Sequence, residues 1–234
     1  MKKIFVTIST LIFSSTLWAA TGYDIRIDDK GYDLRIEFEF KGFQTLHAVR
    51  NALIKPEVIK NLSPKIKSLT MSGSPTDYQS LMVVKSLGVK TQLLSKCKET
   101  IGEKEWTRSC KLQTDLLDGG KYMEWKTDQV KCIKSDQSVA CSLVILGKTR
   151  PIKILGVQIL NDRSFAVKAK VEALKNFFKL YYFILDYNIS TRLASADFDK
   201  SPVKSEIENF DKEATQKLKD EKTYQHSFRL PEMK

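Results

Sequence analysis

Four cysteines, Cys97, Cys110, Cys132 and Cys141, constrain this chain most, because they fall at matched positions of two hairpins. Residues 65–147 read as antiparallel strands at 65–72, 78–86, 89–99, 105–115, 121–133 and 138–147. Val89, Thr91, Leu93, Ser95 and Cys97 alternate with Lys90, Gln92, Lys96 and Lys98, which is the two-residue period of a strand with one buried face. A turn centred on Glu103 and Lys104 sets Cys97 opposite Cys110, Glu99 opposite Arg108 and Ile101 opposite Trp106. A turn centred on Asp136 and Gln137 sets Cys132 opposite Cys141 and Val130 opposite Leu143. Facing Cβ atoms on paired strands lie about 4.5–5.5 Å apart, close to what a disulfide needs. The preferred connectivity is therefore Cys97–Cys110 with Cys132–Cys141, and buried free thiols are the alternative. A metal site is not indicated: there is no CxxC, and His47 and His226 are distant in sequence.

Before the strands, Y23DIRI and Y32DLRI echo one another around Asp28–Gly31 and suggest a hairpin. In the second copy Leu34, Ile36, Phe38 and Phe40 alternate with charged residues. Residues 43–54 and 56–61 change to a three-and-four spacing, so two short helices are expected, with Pro56 in the first turn of the second. Gly119-Gly120 reads as a tight turn. Residues 164–187 carry both an alternating pattern and a helical one. The helical reading accounts for the whole stretch, because Val167, Val171, Leu174, Phe178, Tyr181 and Leu185 form one row, with Ser164 as cap. Residues 200–234 hold eight basic and seven acidic groups and read as an amphipathic helix from Ser201-Pro202 followed by a loose tail.

The first twenty residues, MKKIFVTISTLIFSSTLWAA, have the basic, apolar and small-residue order of a secretory signal peptide cleaved near Ala19–Ala20. A membrane anchor is the alternative, but hydroxyl residues dilute the apolar run. Loss of Lys2 and Lys3 leaves 37 basic and 28 acidic residues, a net charge of +9. The expected location is secreted or periplasmic. The positive charge suits an anionic membrane surface. Nucleic acid is not an expected partner, because no reading motif is present.

The order of strand, two short helices, six antiparallel strands and one long helix resembles the START-like (SRPBCC) superfamily, of polyketide cyclase and lipid-transfer type. L53IKPEVIKNLSPKIKSLTMSG is similar to that family's passage from the short helices into the second strand. The resemblance spans roughly residues 32–187. It implies an α+β helix-grip fold, with a curved antiparallel sheet of about seven strands wrapped on a long C-terminal helix and an extra amphipathic helix beyond it. Together with the leader-like start and the charged C-terminal stretch, the expected division is a signal peptide at 1–20, a helix-grip domain at 21–199 and a charged helix and tail at 200–234. It also implies a hydrophobic or lipid-like small molecule bound between sheet and helix, with no cofactor.

The expected lining is Leu93, Trp106, Leu112, Trp125 and Leu146 on one sheet face, together with Val89 and Val144. Leu174, Phe178 and Tyr181 face them from the long helix. No catalytic residues are assigned. His47 lies beside the apolar row of the first helix, while Glu37, Glu39, Glu99 and Asp115 read as solvent-side strand residues. Asp128 has no partner that the sequence assigns. Two other functions stay open: a cyclase-like or hydrolytic enzyme using the same cavity, and an interaction protein with a filled core.

Overall fold

A computed structural model describes residues 21–41, 46–86, 89–113, 123–154, 156–185 and 191–231. The expected leader and the Gly119-Gly120 turn lie outside them. The chain order is β1 (Gly22–Asp28), β2 (Gly31–Lys41), α1 (Leu46–Ile54), α2 (Pro56–Leu62), β3 (Ile66–Gly73), β4 (Asp77–Ser86), β5 (Val89–Ile101) and β6 (Glu105–Leu112). It continues through β7 (Met123–Lys134), β8 (Ser138–Thr149), the small hairpin β9 (Ile152–Ile154) and β10 (Val157–Leu160), then α3 (Asp162–Leu185), α4 (Thr191–Lys200), α5 (Pro202–Asp220) and β11 (Tyr224–Arg229).

The main sheet is antiparallel with nine strands in the order β11-β1-β2-β8-β7-β6-β5-β4-β3, two more than the sequence suggests. Every expected register is found: Cys97 faces Cys110, Ile101 faces Trp106, Cys132 faces Cys141 and Val130 faces Leu143. Both cysteine pairs are disulfides. Alternation sends Tyr32, Leu34, Ile36, Phe38 and Phe40 of β2 into the core, with 5% or less of each exposed. The β1–β2 hairpin closes at Asp28, whose Oδ1 accepts from the amides of Lys30 and Gly31.

α3 crosses the inner sheet face over β1, β2 and β8, while α1 sits over β6 and β7 and α2 packs on β3. The α3 amide of Ser164 donates to Asn161 Oδ1 at 2.7 Å, so Asn161 rather than Ser164 caps the helix. α4 was not legible in the sequence. α5 packs on α3, and Val203, Ile207, Phe210 and Ala214 are fully buried in the same core as the sheet. The tail after it is not loose: β11 pairs with β1, and Tyr224 is buried. Val130 and Leu143 lie on the inner face of the sheet. Both side chains are 1% exposed and belong to the inner core.

Candidate ligand-binding site

The expected lining residues do not form one group. Phe178 and Tyr181 face β1 and β2. Phe178 lies edge-on to Phe38 at 5.4 Å and to Tyr23 at 6.1 Å, and Tyr181 stacks on Phe38 at 5.2 Å. With Leu174 and Trp106 they belong to a continuous core. Leu93 and Leu112 are buried on β5 and β6, outside that cluster. Leu146 and Val144 are on the opposite face. On β8 the inward row is Val139, Cys141 and Leu143 with Ile145 packed beside it, and the period of two sends the even positions outward. A bulge between Trp125 and Thr127 shifts the register, so Trp125 faces Gly147 across the ladder while Thr127 faces Leu146.

An open space exists on the other side of α3. A cleft of about 580 Å³ lies between α1, α2, β3 and the end of α3. Its walls include Ala48, Ala52, Ile54 and Val58 from the short helices, Met71 from β3 and Phe183 from α3. Asn51 and Lys55 add polar groups. Pro56 ends α1 and starts α2, since its ring removes a helical donor yet fits a first turn. The resulting corner holds the two helices apart over β3. Met71, on the cleft wall, packs in turn on the cluster of Tyr78, Cys97 and Cys110.

Beside it lies a buried set of charges. Glu99 is 7% exposed, because it continues the inward row of Cys97; the solvent-side reading fails on that parity. Its carboxylate accepts from Arg50 Nε at 2.8 Å, Tyr78 Oη at 2.7 Å and Trp106 Nε1 at 2.9 Å. Three donors compensate the desolvated carboxylate and tie α1 to β4, β5 and β6. Two residues inward of Val130, Asp128 lies 3.7 Å from Arg108 Nη2. Lys170 of α3 is 5% exposed, with its ammonium 3.4 Å from the centroid of the Tyr32 ring. Burial raises the Asp128 carboxyl pKa, against the opposing pull of Arg108 and Lys170. Burial lowers the Lys170 pKa from 10.5 to about 7, partly opposed by Asp128. His47 is exposed on α1 and takes no part.

The Lys170 shift makes a pH prediction. Between pH 7 and 10.5 the unfolded chain holds the Lys170 proton and the folded chain releases it, so stability rises with pH across that window. Urea unfolding at pH 9.5 is expected to give about 3 kcal/mol more stability than at pH 7. Lys170→Met should remove that slope, and a slope unchanged in the variant would rule out Lys170 as its source.

Two short helices between β2 and β3, six strands from β3 to β8 in sequential order, and α3 laid across the sheet complete the topology. The chain has a START-like, helix-grip fold. No family model matches the chain, and no curated protein does. Solved structures with a similar START-like outline include human STARD10, at 10% identity and TM-score 0.49 over 75% of each chain. The human StarD13 lipid transfer and protein localization domain aligns at 9% identity and TM-score 0.41, covering 53% of this chain and 66% of that one. The di-domain ARO/CYC BexL from the BE-7585A biosynthetic pathway aligns at 10% identity and TM-score 0.45, covering 68% of this chain and 50% of that one.

Proposed function

We propose that the protein is an exported carrier that holds a hydrophobic or amphipathic small molecule without transforming it. The observation that carries this reading is the cleft of about 580 Å³, apolar on most of its walls and polar at Asn51 and Lys55. Such a mixture suits a ligand that buries a hydrocarbon body and keeps a few polar contacts. The binding residues in this reading are those of the cleft, chiefly Ala48, Val58, Met71 and Phe183. The Phe178 and Tyr181 row supports them from within the core. Export is supported by the leader-like first twenty residues and by two disulfides, which persist in oxidising compartments. Among the described residues no helix is long and apolar enough to cross a membrane. The net charge of +9 left after leader removal favours loading or release at an anionic membrane surface.

Nile red tests the reading. The parent protein is expected to bind it with a blue-shifted emission. Ala48→Trp, which fills the half-open wall of the cleft, should weaken binding at least tenfold with little change in melting temperature. Native mass spectrometry of gently purified protein should show a co-purified lipid-sized mass. No probe bound and no such mass would favour an interaction protein.

A further inference from the structure

Charge is sorted along the outer face of the main sheet. At one end the β1–β2 ladder sets Asp24 opposite Arg35 and Arg26 opposite Asp33, so facing charges are matched. At the other end like faces like. Lys85 of β4 is opposite Lys90 of β5, and Lys96 of β5 is opposite Lys111 of β6. All four lysines are exposed, and among the described residues none of them forms an ion pair. Asp77, an acid on the same face, is opposite Lys98 instead. Facing like charges cost a sheet stability. Lys96 and Lys111 alternate with the buried Cys97 and Cys110, so this face is turned away from the core and from the cleft. Between the two lysine rungs the face is apolar: Leu81 is opposite Leu94, and both are half-buried. Leu94 stands two residues from Lys96 and four from Lys90, about 7 and 14 Å along the strand.

We propose that the outer face of β4, β5 and β6 docks the protein on an anionic lipid bilayer, the two lysine rungs meeting headgroup phosphates and the Leu81–Leu94 rung meeting the acyl boundary. The inference deepens the carrier reading, on which its membrane partner rests, by assigning the face that meets the bilayer. Phosphates placed between facing ammonium groups offset a repulsion that the protein alone leaves uncompensated. A dissolved polyanion would engage the lysines but has no use for a leucine rung between them, whereas a bilayer engages both. The β1–β2 end adds Glu37 and Glu39 to its matched pairs and is repelled by the same surface. That polarity sets the docked orientation. The cleft lies on the other side of the sheet, so docking leaves it uncovered.

Co-sedimentation with vesicles tests this. The purified protein should bind vesicles of mixed phosphatidylcholine and phosphatidylglycerol at low salt, and not vesicles of phosphatidylcholine alone. Each lysine near an anionic leaflet is worth about fivefold, so Lys96→Gln with Lys111→Gln should weaken binding at least tenfold. Lys212→Gln with Lys222→Gln removes the same net charge from exposed positions in and after α5, and should weaken binding less than about twofold. Leu94→Gln should weaken vesicle binding about threefold or more and leave polyphosphate binding unchanged. The Lys96 and Lys111 variant loses a facing repulsion, so it should melt no lower than the parent and keep its Nile red affinity within about twofold. Equal losses from the two lysine pairs would overturn the docking face, because net charge alone would then act. Polyphosphate bound as tightly as the mixed vesicles, with Leu94→Gln without effect on either, would overturn the bilayer and give the face to a soluble polyanion. Nile red bound without any vesicle binding would overturn the docking face and leave the carrier reading standing. Failure of the parent to bind Nile red would overturn the carrier reading, while the vesicle result still decides the face.

Discussion

A chain ending at Lys200 is expected to lose its cooperative fold and to accumulate in the insoluble fraction. Residues 201–234 look separable, because they are nearly charge-balanced and follow the long helix. Their positions in the structure argue otherwise. Val203, Ile207 and Phe210 are 0% exposed, and Tyr224 is 3% exposed. Burying side chains of this size contributes about 1.5–3 kcal/mol each, so removal of the four costs on the order of 6–12 kcal/mol. A domain of ordinary stability has about 5–15 kcal/mol in total. The truncation also strips β11 from β1, leaving a row of unpaired backbone groups, and uncovers Tyr23, which packs on Phe228 and His226. His226 is itself held by Glu206 of α5 at 2.8 Å, so helix and strand depart together. Soluble yield and a thermal melt followed by circular dichroism decide the matter. A soluble truncation with a sharp melt near that of the full chain would show that α5 and β11 are an accessory layer.

Most of the sheet was legible because independent local signals converged on one register. The turn centres alone place Cys97 opposite Cys110 and Cys132 opposite Cys141, and the disulfides repeat the same pairing. α3 was legible from its length, since a helical row persists over 24 residues. The failures have a common physical cause. β7 carries a bulge at Trp125–Thr127, and one inserted residue reverses which side chains point inward. Counting by twos from Cys132 places Asp128 correctly inside, and the bulge breaks that count before Trp125, whose ladder partner is Gly147. Glu99 was recoverable: it stands two residues from Cys97 and opposite Arg108, so the register already put it on the inner row. A charged residue on a buried face contradicts its type, and only the donors from Arg50, Tyr78 and Trp106 make the position tolerable. β11 was missed because YQHSFR alternates an aromatic row with polar residues weakly and lies at a sheet edge. The cleft depends on how α1 and α2 sit above β3, a tertiary relation that periodicity does not encode.

Phe178→Ala is expected to cost about 3–5 kcal/mol, the range for removing a large side chain from a filled core. Phe178 is 0% exposed and lies within 6.3 Å, centroid to centroid, of Tyr23, Phe38 and Tyr181. Those rings are held by β1, β2 and α3 itself, so they have little freedom to collapse into the space left behind. The ring contacts add stabilisation beyond the area they bury. Lys96→Ala, on the exposed side of β5, is the control and should change stability by less than about 0.5 kcal/mol. Chemical denaturation gives the two values directly. Nile red titration under native conditions gives the second half of the result. The cleft is lined by Phe183, further along α3, so the affinity of Phe178→Ala should stay within about twofold of the parent. A cost below about 1 kcal/mol would mean that Phe178 already borders a void. If probe affinity also changed sharply, the ligand would sit between α3 and β2, and the cleft beneath α1 and α2 would be its entrance instead of its seat.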